Sequence, residues 1–424
     1  MAHSVVAALL CAVAGLPTAP NVVLLSVDTL RADRLGCYGY DPPTSPHLDA
    51  FAQEARLFEN VVCEVPLTAP SFASMLSSRY PRMTGLTRNG LRMPGGVPLV
   101  QEEFQKAGYQ TFCIQSNWTL KRKLSALDRG FDHYDDAFHN KRWGIIKPER
   151  DAEEVTRLTV ALLNSRDASK PFFAWIHFSD PHAPYKLHRT HNPQDKRTGR
   201  LDKVEKVGVK YDSEVAYTDA HIRQVLEALP EGTAVLFVAD HGESLWEHDY
   251  LGHGRRIYQD GLHVPLMIRA PGVAPGRTAV PARGLDIAPT LLGLAGLTPP
   301  PTMLGVDLLR QPPPSDRVRI VETYGGAVPK LPGAKAIMGD AKPMRQGVLA
   351  GPWKLVLGSG RPELYRLDQD PWEVDNRASA EPDHVARLKE MISSWDTATA
   401  HAQEEGAALS DADIEALRSL GYVE

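Results

Sequence analysis

The chain has 424 residues, 43% of them hydrophobic and 23% charged, with a formal net charge of −5 at pH 7. Such a composition is that of an ordinary globular protein, allows a large core and does not make disorder the default; the length suits two to three domain-sized units, or one large α/β domain with an appendage. The acidic balance argues against nucleic acid as a partner, and the basic cluster Lys203 to Lys210, interleaved with acids, reads as a solvated loop.

The apolar run Val5 to Leu16 is too short to span a bilayer as a helix. With small residues at Ala12 and Ala14 it reads as the core of a signal peptide over residues 1–19, which implies a periplasmic or secreted protein. No Lys or Arg precedes the run, so a cytoplasmic location stays as the alternative. No other segment reads as a membrane span. The four cysteines, at 11, 37, 63 and 113, have neither metal spacing nor the density of a disulfide framework. With Cys11 removed three remain, so at least one thiol is free. Nothing in the sequence sets an oligomeric state.

Four unalternated apolar runs follow: Asn21 to Val27, Phe172 to Phe178, Ala234 to Ala239 and Val264 to Arg269. Runs of this kind suit strands buried on both faces of a parallel sheet. Helical patterns lie between them: Ser45 to Glu54, opened by Ser45-Pro46, then Glu153 to Leu163 and Glu214 to Leu229. Strands alternating with helices predict an α/β fold, a large mostly parallel central sheet flanked by helices, over 20–312. The proline-rich stretch Gln311 to Asp316 is a linker. Beyond it, over 317–424, short strands are predicted at Val318 to Val321, Met344 to Ala350, Trp353 to Leu357 and Glu363 to Leu367. Gly351-Pro352 supplies a hairpin turn, and Arg387 to Trp395 and Asp411 to Leu420 are helical. This part reads as a smaller C-terminal antiparallel sheet with helix. Pro329 to Met344, rich in Gly, Pro and Lys, reads as a surface loop.

Ligands of such sheets sit beyond the carboxyl ends of the strands. Asp28 follows the first run, Asp240-His241 the third, and HFSDPH with Asp180 and His182 ends the second. Carboxylate and imidazole together suit a hard or borderline cation, although each residue alone could be a cap or a rim residue. His182 is mounted between two prolines and His253 between two glycines. His248 reads as surface. Arg31 either binds an anion or pairs with Asp33. Asn117, in Ser-Asn-Trp-Thr, matches a glycosylation acceptor pattern too common to carry weight.

Several stretches together resemble the sulfatase family of the alkaline phosphatase-like superfamily. They are VVLLSVDTLRADRLGCYGY, TAPSFASMLSSRYP, HFSDPHAPY, FVADHGESLWEHDYLGHG, YQDGLHVPLMIRAPG, LDIAPTLLGLAG, ELYRLDQDPWEVDN and LRSLGYVE, in order from about residue 20 to the end. The resemblance implies a metal at the strand ends and a nucleophile opening a helix. In the family that nucleophile is usually the cysteine of Cys-x-Pro-Ser-Arg, converted to formylglycine. Here Thr68 stands at the cysteine position and Phe72 at the arginine position. Cys63 cannot substitute, since its proline comes one residue late. Thr29 stands where many members have a second metal-binding aspartate.

Related phosphotransferases and phosphodiesterases use an unmodified threonine on a metal. The resemblance thus implies one divalent ion (Ca, Mg, Mn or Zn) held by Asp28, Thr68, Asp240 and His241. It further implies Thr68 as nucleophile, with His182 or His253 as the acid. A second metal on Asp180, His182 and His253 is the less favoured arrangement. The substrate expected is an anionic ester of a small molecule, glycan or lipid. A phosphate or phosphonate mono- or diester is preferred to a sulfate ester, because threonine lacks the second hydroxyl by which formylglycine hydrate expels sulfate. A non-catalytic binding protein is the third reading.

Overall fold

The structure, a computed structural model, describes residues 19–138, 149–194, 201–326, 342–358 and 360–404. The proposed signal peptide but for its last residue, the Asp411 to Leu420 helix, the closing LRSLGYVE and all but the last three residues of the Pro329 to Met344 loop lie outside them.

The strands in chain order are β1 (Val22–Val27), β2 (Arg56–Val62), β3 (Gln110–Ile114), β4 (His133–Asp135), β5 (Phe172–Phe178) and β6 (Ala234–Ala239). A two-stranded ribbon, β7 (Ser244–Leu245) with β8 (Leu251–Gly252), precedes β9 (Leu266–Arg269) and β10 (Gly276–Arg283). Eight of these form one sheet in the order β10-β2-β9-β6-β1-β5-β3-β4. Every residue of β1, β5 and β6 is buried, as their unbroken apolar runs require. Each large side chain so buried contributes about 1.5–3 kcal/mol, which makes these central strands the anchor of the fold.

The sheet is parallel except at β9, which runs antiparallel to both β2 and β6. The sequence expectation of a mostly parallel sheet therefore holds, with β9 as the exception. A second expectation is corrected. Lys203 to Lys210 is not a loop but the opening of the helix Lys203–Ala228, started by a capping box of Asp202 and Glu205. Its charges mark a solvated helix face.

Helix α1 (Pro46–Gln53) has proline in its first turn, as read from the sequence. Helix α2 (Thr68–Ser77) is buried along all ten residues and begins at Thr68 itself. The short stretch after it, Pro81–Thr84, is helical too.

The C-terminal strands β11 (Arg319–Thr323), β12 (Arg345–Ala350), β13 (Trp353–Leu357) and β14 (Glu363–Arg366) form a separate antiparallel sheet in that order. The helix Pro382–Glu404 packs on it. Their shared core also takes Tyr80, Met83 and Leu285 from the first part of the chain. Among the described residues no helix is long and apolar enough to cross a membrane.

Candidate active site

Parallel register places three strand ends side by side. Val27 of β1 is level with Phe178 of β5 and Ala239 of β6. The next residues, Asp28, Ser179 and Asp240, therefore emerge together at the carboxyl edge of the sheet, where α/β sheets keep their sites.

Asp28, Asp240 and His241 are fully buried. Each offers a ligand atom within 4.8 Å of the others'. His241 Nε2 stands 3.7 Å from Asp28 Oδ1 and 3.6 Å from Asp240 Oδ2. Neither of those two oxygens has a hydrogen-bond partner. Their companions are spoken for: Asp240 Oδ1 accepts from the N–H groups of Thr29 (3.1 Å) and His241 (2.8 Å), and Asp28 Oδ2 accepts from the Asn117 amide.

Burial, followed by the neighbouring Asp28 charge, pushes the Asp240 carboxyl well above the usual carboxylate range. Burial also opposes ionisation of Asp28, but the surrounding His182, His241, His177 and His253 hold its carboxyl low. Two buried carboxylates this close do not both ionise without a cation. Burial, then His253, brings His241 down to about 3, so its ring is neutral. Nδ1–H donates to Gly242 O at 2.8 Å, which leaves the Nε2 lone pair facing the orphan oxygens. Ligands about 2.1 Å from one tetrahedral ion stand about 3.4 Å apart, so this set fits a divalent cation.

Thr68, 1% exposed, completes the cluster. Its Oγ1 lies 3.4 Å from His241 Nε2. Below it, Ser71 Oγ donates to Asp240 O at 2.6 Å, which fixes α2 to the strand end. The helix start offers few free donors: Pro70 has no N–H, and Ala69 N–H goes to Asn89 Oδ1 at 3.0 Å. Phe72 packs on Trp175 and His177, with centroids 4.6 and 4.8 Å away.

His253 and His182 line up beside this centre. The His253 ring is 4.6 Å from that of His241 and 5.1 Å from that of His182. His253 Nδ1 pairs with buried Glu243 Oε1 at 3.0 Å. Burial opposes the charge on His253, but Glu243 outweighs it and raises the imidazole above its ordinary range. His182 Nδ1 contacts Ala183 O at 2.7 Å.

All six residues singled out in the sequence thus come together. The second-metal arrangement does not form. Asp180 Oδ1 instead accepts from Ala152 N at 3.2 Å, at the start of the helix Ala152–Ser165. Among the described residues no other group of three metal-ligating side chains exists. Thr29 takes a positive φ of 57°, and its hydroxyl donates to Asp28 O at 2.7 Å. Arg31 is held by Asp33 and Glu247, each at 2.8 Å, which settles its role as structural. Cys37, Cys63 and Cys113 are all free, and burial raises the Cys63 thiol far above its ordinary range.

Three participants escaped the sequence reading. Asn117 is 2% exposed and bound to Asp28, not a glycan acceptor. His177, read only as strand, stands 3.9 Å from Asp28 Oδ2 and is brought down to about 4 by burial. Glu243, in Asp-His-Gly-Glu, holds His253.

A large sheet with a buried Asp-Asp-His cluster at its carboxyl edge, a hydroxyl at the head of a buried helix and a small C-terminal antiparallel sheet define the alkaline phosphatase-like hydrolases. A profile of the sulfatase family matches residues 20–297, and the chain belongs to that family. An ulvan-active sulfatase of Formosa agariphila is 29% identical over 66% of this chain and 62% of its own length. A choline-sulfatase of Rhizobium meliloti is 24% identical over 85% of this chain and 82% of its own. Among solved structures, BT4656 in complex with its substrate D-glucosamine-2-N,6-O-disulfate superposes with a TM-score of 0.74 at 19% identity, covering 90% of this chain and 98% of that one. The phosphonate monoester hydrolase of Agrobacterium radiobacter gives 0.72 at 20% identity, covering 90% and 96%.

Proposed function

We propose that this chain is a divalent-metal-dependent hydrolase that uses Thr68 as nucleophile on phosphate or phosphonate mono- or diesters. The observation that carries the reading is the position of Thr68 Oγ1, 3.4 Å from His241 Nε2, the same nitrogen that stands within 3.7 Å of two buried carboxylate oxygens without partners. The lack of any cysteine at that place supports the unmodified hydroxyl.

A divalent cation bound by Asp28, Asp240 and His241 would supply Lewis acidity toward the hydroxyl and an ester oxygen. The residues supply the rest. Thr68 passes its hydroxyl proton by way of His182 to solvent as its Oγ attacks phosphorus in line, and the P–O bond to the leaving group breaks. His253, oriented by Glu243, gives its proton to the departing oxygen, with His182 next to it. Water then attacks the phosphorylated Thr68; His253 takes the water's proton, and the threonine oxygen leaves and regains its proton by way of His182. Burial keeps bulk water from the nucleophile until the leaving group has gone.

A second reading is a sulfate ester, which the names of the similar proteins favour. Against it stands Thr68, whose sulfate ester could be cleared only by direct attack at sulfur. The similar proteins include ones named for ulvan and for choline, so the ester is carried on a glycan, a lipid or a small molecule.

The test is turnover of an aryl phosphate monoester, an aryl phosphate diester, an aryl phosphonate and an aryl sulfate, with and without chelator. Chelator-sensitive phosphate or phosphonate turnover, lost about a thousandfold or more in Thr68→Ala, supports the proposal. Sulfate release with the phosphorus esters inert supports the second reading. Less than a tenfold loss in Thr68→Ala overturns covalent catalysis.

A further inference from the structure

Several buried guanidinium groups among the described residues are matched to carboxylates, and Arg319 is held by Asn60 Oδ1 at 2.7 Å. Arg31 has Asp33, Arg82 has Glu322, Arg150 has Asp135 and Arg317 has Asp286. Arg88 is different. It is 6% exposed, its Nε is buried without a partner, and its guanidinium makes no ion pair or hydrogen bond among the described residues. An unmatched buried cation is costly, and it persists where an anion completes it.

Its placement says which anion. Asn89, the next residue, caps Ala69 at the head of α2, one residue from the nucleophile. Thr87, the preceding residue, has a buried hydroxyl also without a partner. The tip of Arg88 lies against the end of β11, where a Cβ added to Gly325 would stand 3.1 Å from Nη1. That segment is joined to the histidine loop: Gly325 N donates to Thr323 Oγ1 at 3.2 Å, and Thr323 Oγ1 donates to the carbonyl of Gly254, next to His253, at 2.6 Å. Arg88 therefore follows the chain segment whose Asn89 caps the nucleophile's helix, and its tip meets the strand end that Thr323 ties to Gly254, beside His253. Arg79 is also unmatched, but it lies beyond the far end of α2.

We infer that Arg88 is the substrate-anchoring cation of this site, binding an anionic oxygen of the ester. α2 itself offers no cation beyond Thr68, since Phe72 stands at the position where the family motif has arginine. The planar fork of Arg88 suits a phosphoryl or sulfuryl group.

This rests on the ester-hydrolase reading above. The experiment is steady-state kinetics on the best ester, with calorimetric binding of inorganic phosphate and of sulfate, in the full chain, Arg88→Gln, Arg88→Lys and Thr68→Ala. For Arg88→Gln we expect KM to rise and phosphate affinity to fall, each about tenfold or more, with kcat changed less; Arg88→Lys recovers part of both. Thr68→Ala keeps phosphate binding while losing turnover. Unchanged KM and unchanged anion affinity in Arg88→Gln overturn the inference. So does a variant that fails to fold, because a cation waiting for its anion contributes nothing to the free protein. If the wild type turns over no ester yet binds phosphate through Arg88, the hydrolase reading falls and this one stands.

Discussion

Phe72 packs edge-on against His177, their ring centroids 4.8 Å apart, one helical turn beyond Thr68. His177 is neutral and lies 3.9 Å from Asp28 Oδ2, so the aromatic ring lowers the polarity of the floor beneath the Asp-Asp-His cluster. In most sulfatases an arginine is expected at this place. Its return would not restore a sulfatase. Phe72→Arg buries a guanidinium among Trp175, His177 and apolar neighbours, and its pull on the carboxylates of the Asp-Asp-His cluster would disturb the proposed metal site. We expect a loss of stability of roughly 3 kcal/mol or more in urea unfolding. Metal affinity falls as well. A fully stable variant with gained sulfatase turnover sinks this account.

Much of this could be read from the chain. The unbroken apolar runs Phe172 to Phe178 and Ala234 to Ala239 coincide with strands, because a strand buried on both faces has no polar positions to confuse the pattern. β9 shows the limit: composition makes it a buried strand but carries no signal for its direction. Lys203 to Lys210 shows another, since its charges hid the Asp202–Glu205 capping box, which was legible. At the site, Asp28, Asp240 and His241 were legible because each ends an apolar run. Asn117 and His177 were not. Their roles depend on the register of β5 against β1, Ser26 level with His177, and on the loop after β3 folding back over Asp28.

Metal binding should be visible without any substrate. The free site holds two buried carboxylates with orphan oxygens, and a cation that binds only the folded state stabilises it by mass action. Divalent ions should raise Tm by several degrees over the chelated protein, and calorimetry should count one ion per chain. Asp240→Asn should abolish the increment while leaving the chelated protein as stable as wild type or more so, since the neutral amide stands in for the protonated carboxyl that burial and Asp28 already favour. An undiminished increment in Asp240→Asn would show that the ion sits elsewhere.

Arg82 pins the C-terminal sheet to the segment after α2. It pairs with Glu322 on β11 and Asp396 on the last helix, and it donates to Thr399 Oγ1 at 2.8 Å. Glu322 is fully buried, and Tyr324 and Trp395 also donate to it. Arg82→Ala strands that carboxylate, at a cost of roughly 3–5 kcal/mol. Arg82→Ala with Glu322→Gln should recover part of it, measured as a double-mutant cycle. Equal losses in single and double variants would show that the pair does not hold the seam.

Glu64 lies within the segment that leads from β2 to Thr68. It is fully buried; Oε1 accepts from Leu285 N at 3.1 Å and Oε2 has no partner. Burial, only partly offset by that hydrogen bond and by Arg283, pushes its carboxyl up to about 8. The folded state therefore binds a proton that the unfolded chain releases near pH 4.5. The contribution is fully present below pH 4.5 and is lost as pH rises through about 8, at up to about 1.4 kcal/mol per pH unit. Glu64→Gln mimics the protonated form and should flatten this slope while folding normally. Unfolding by urea at pH 5.5 and 7.5 reads the difference. Wild type should lose stability between the two relative to the variant, by roughly 1–3 kcal/mol. Parallel behaviour of the two proteins would mean that Glu64 is ionised in the fold, with Arg283 as its effective partner.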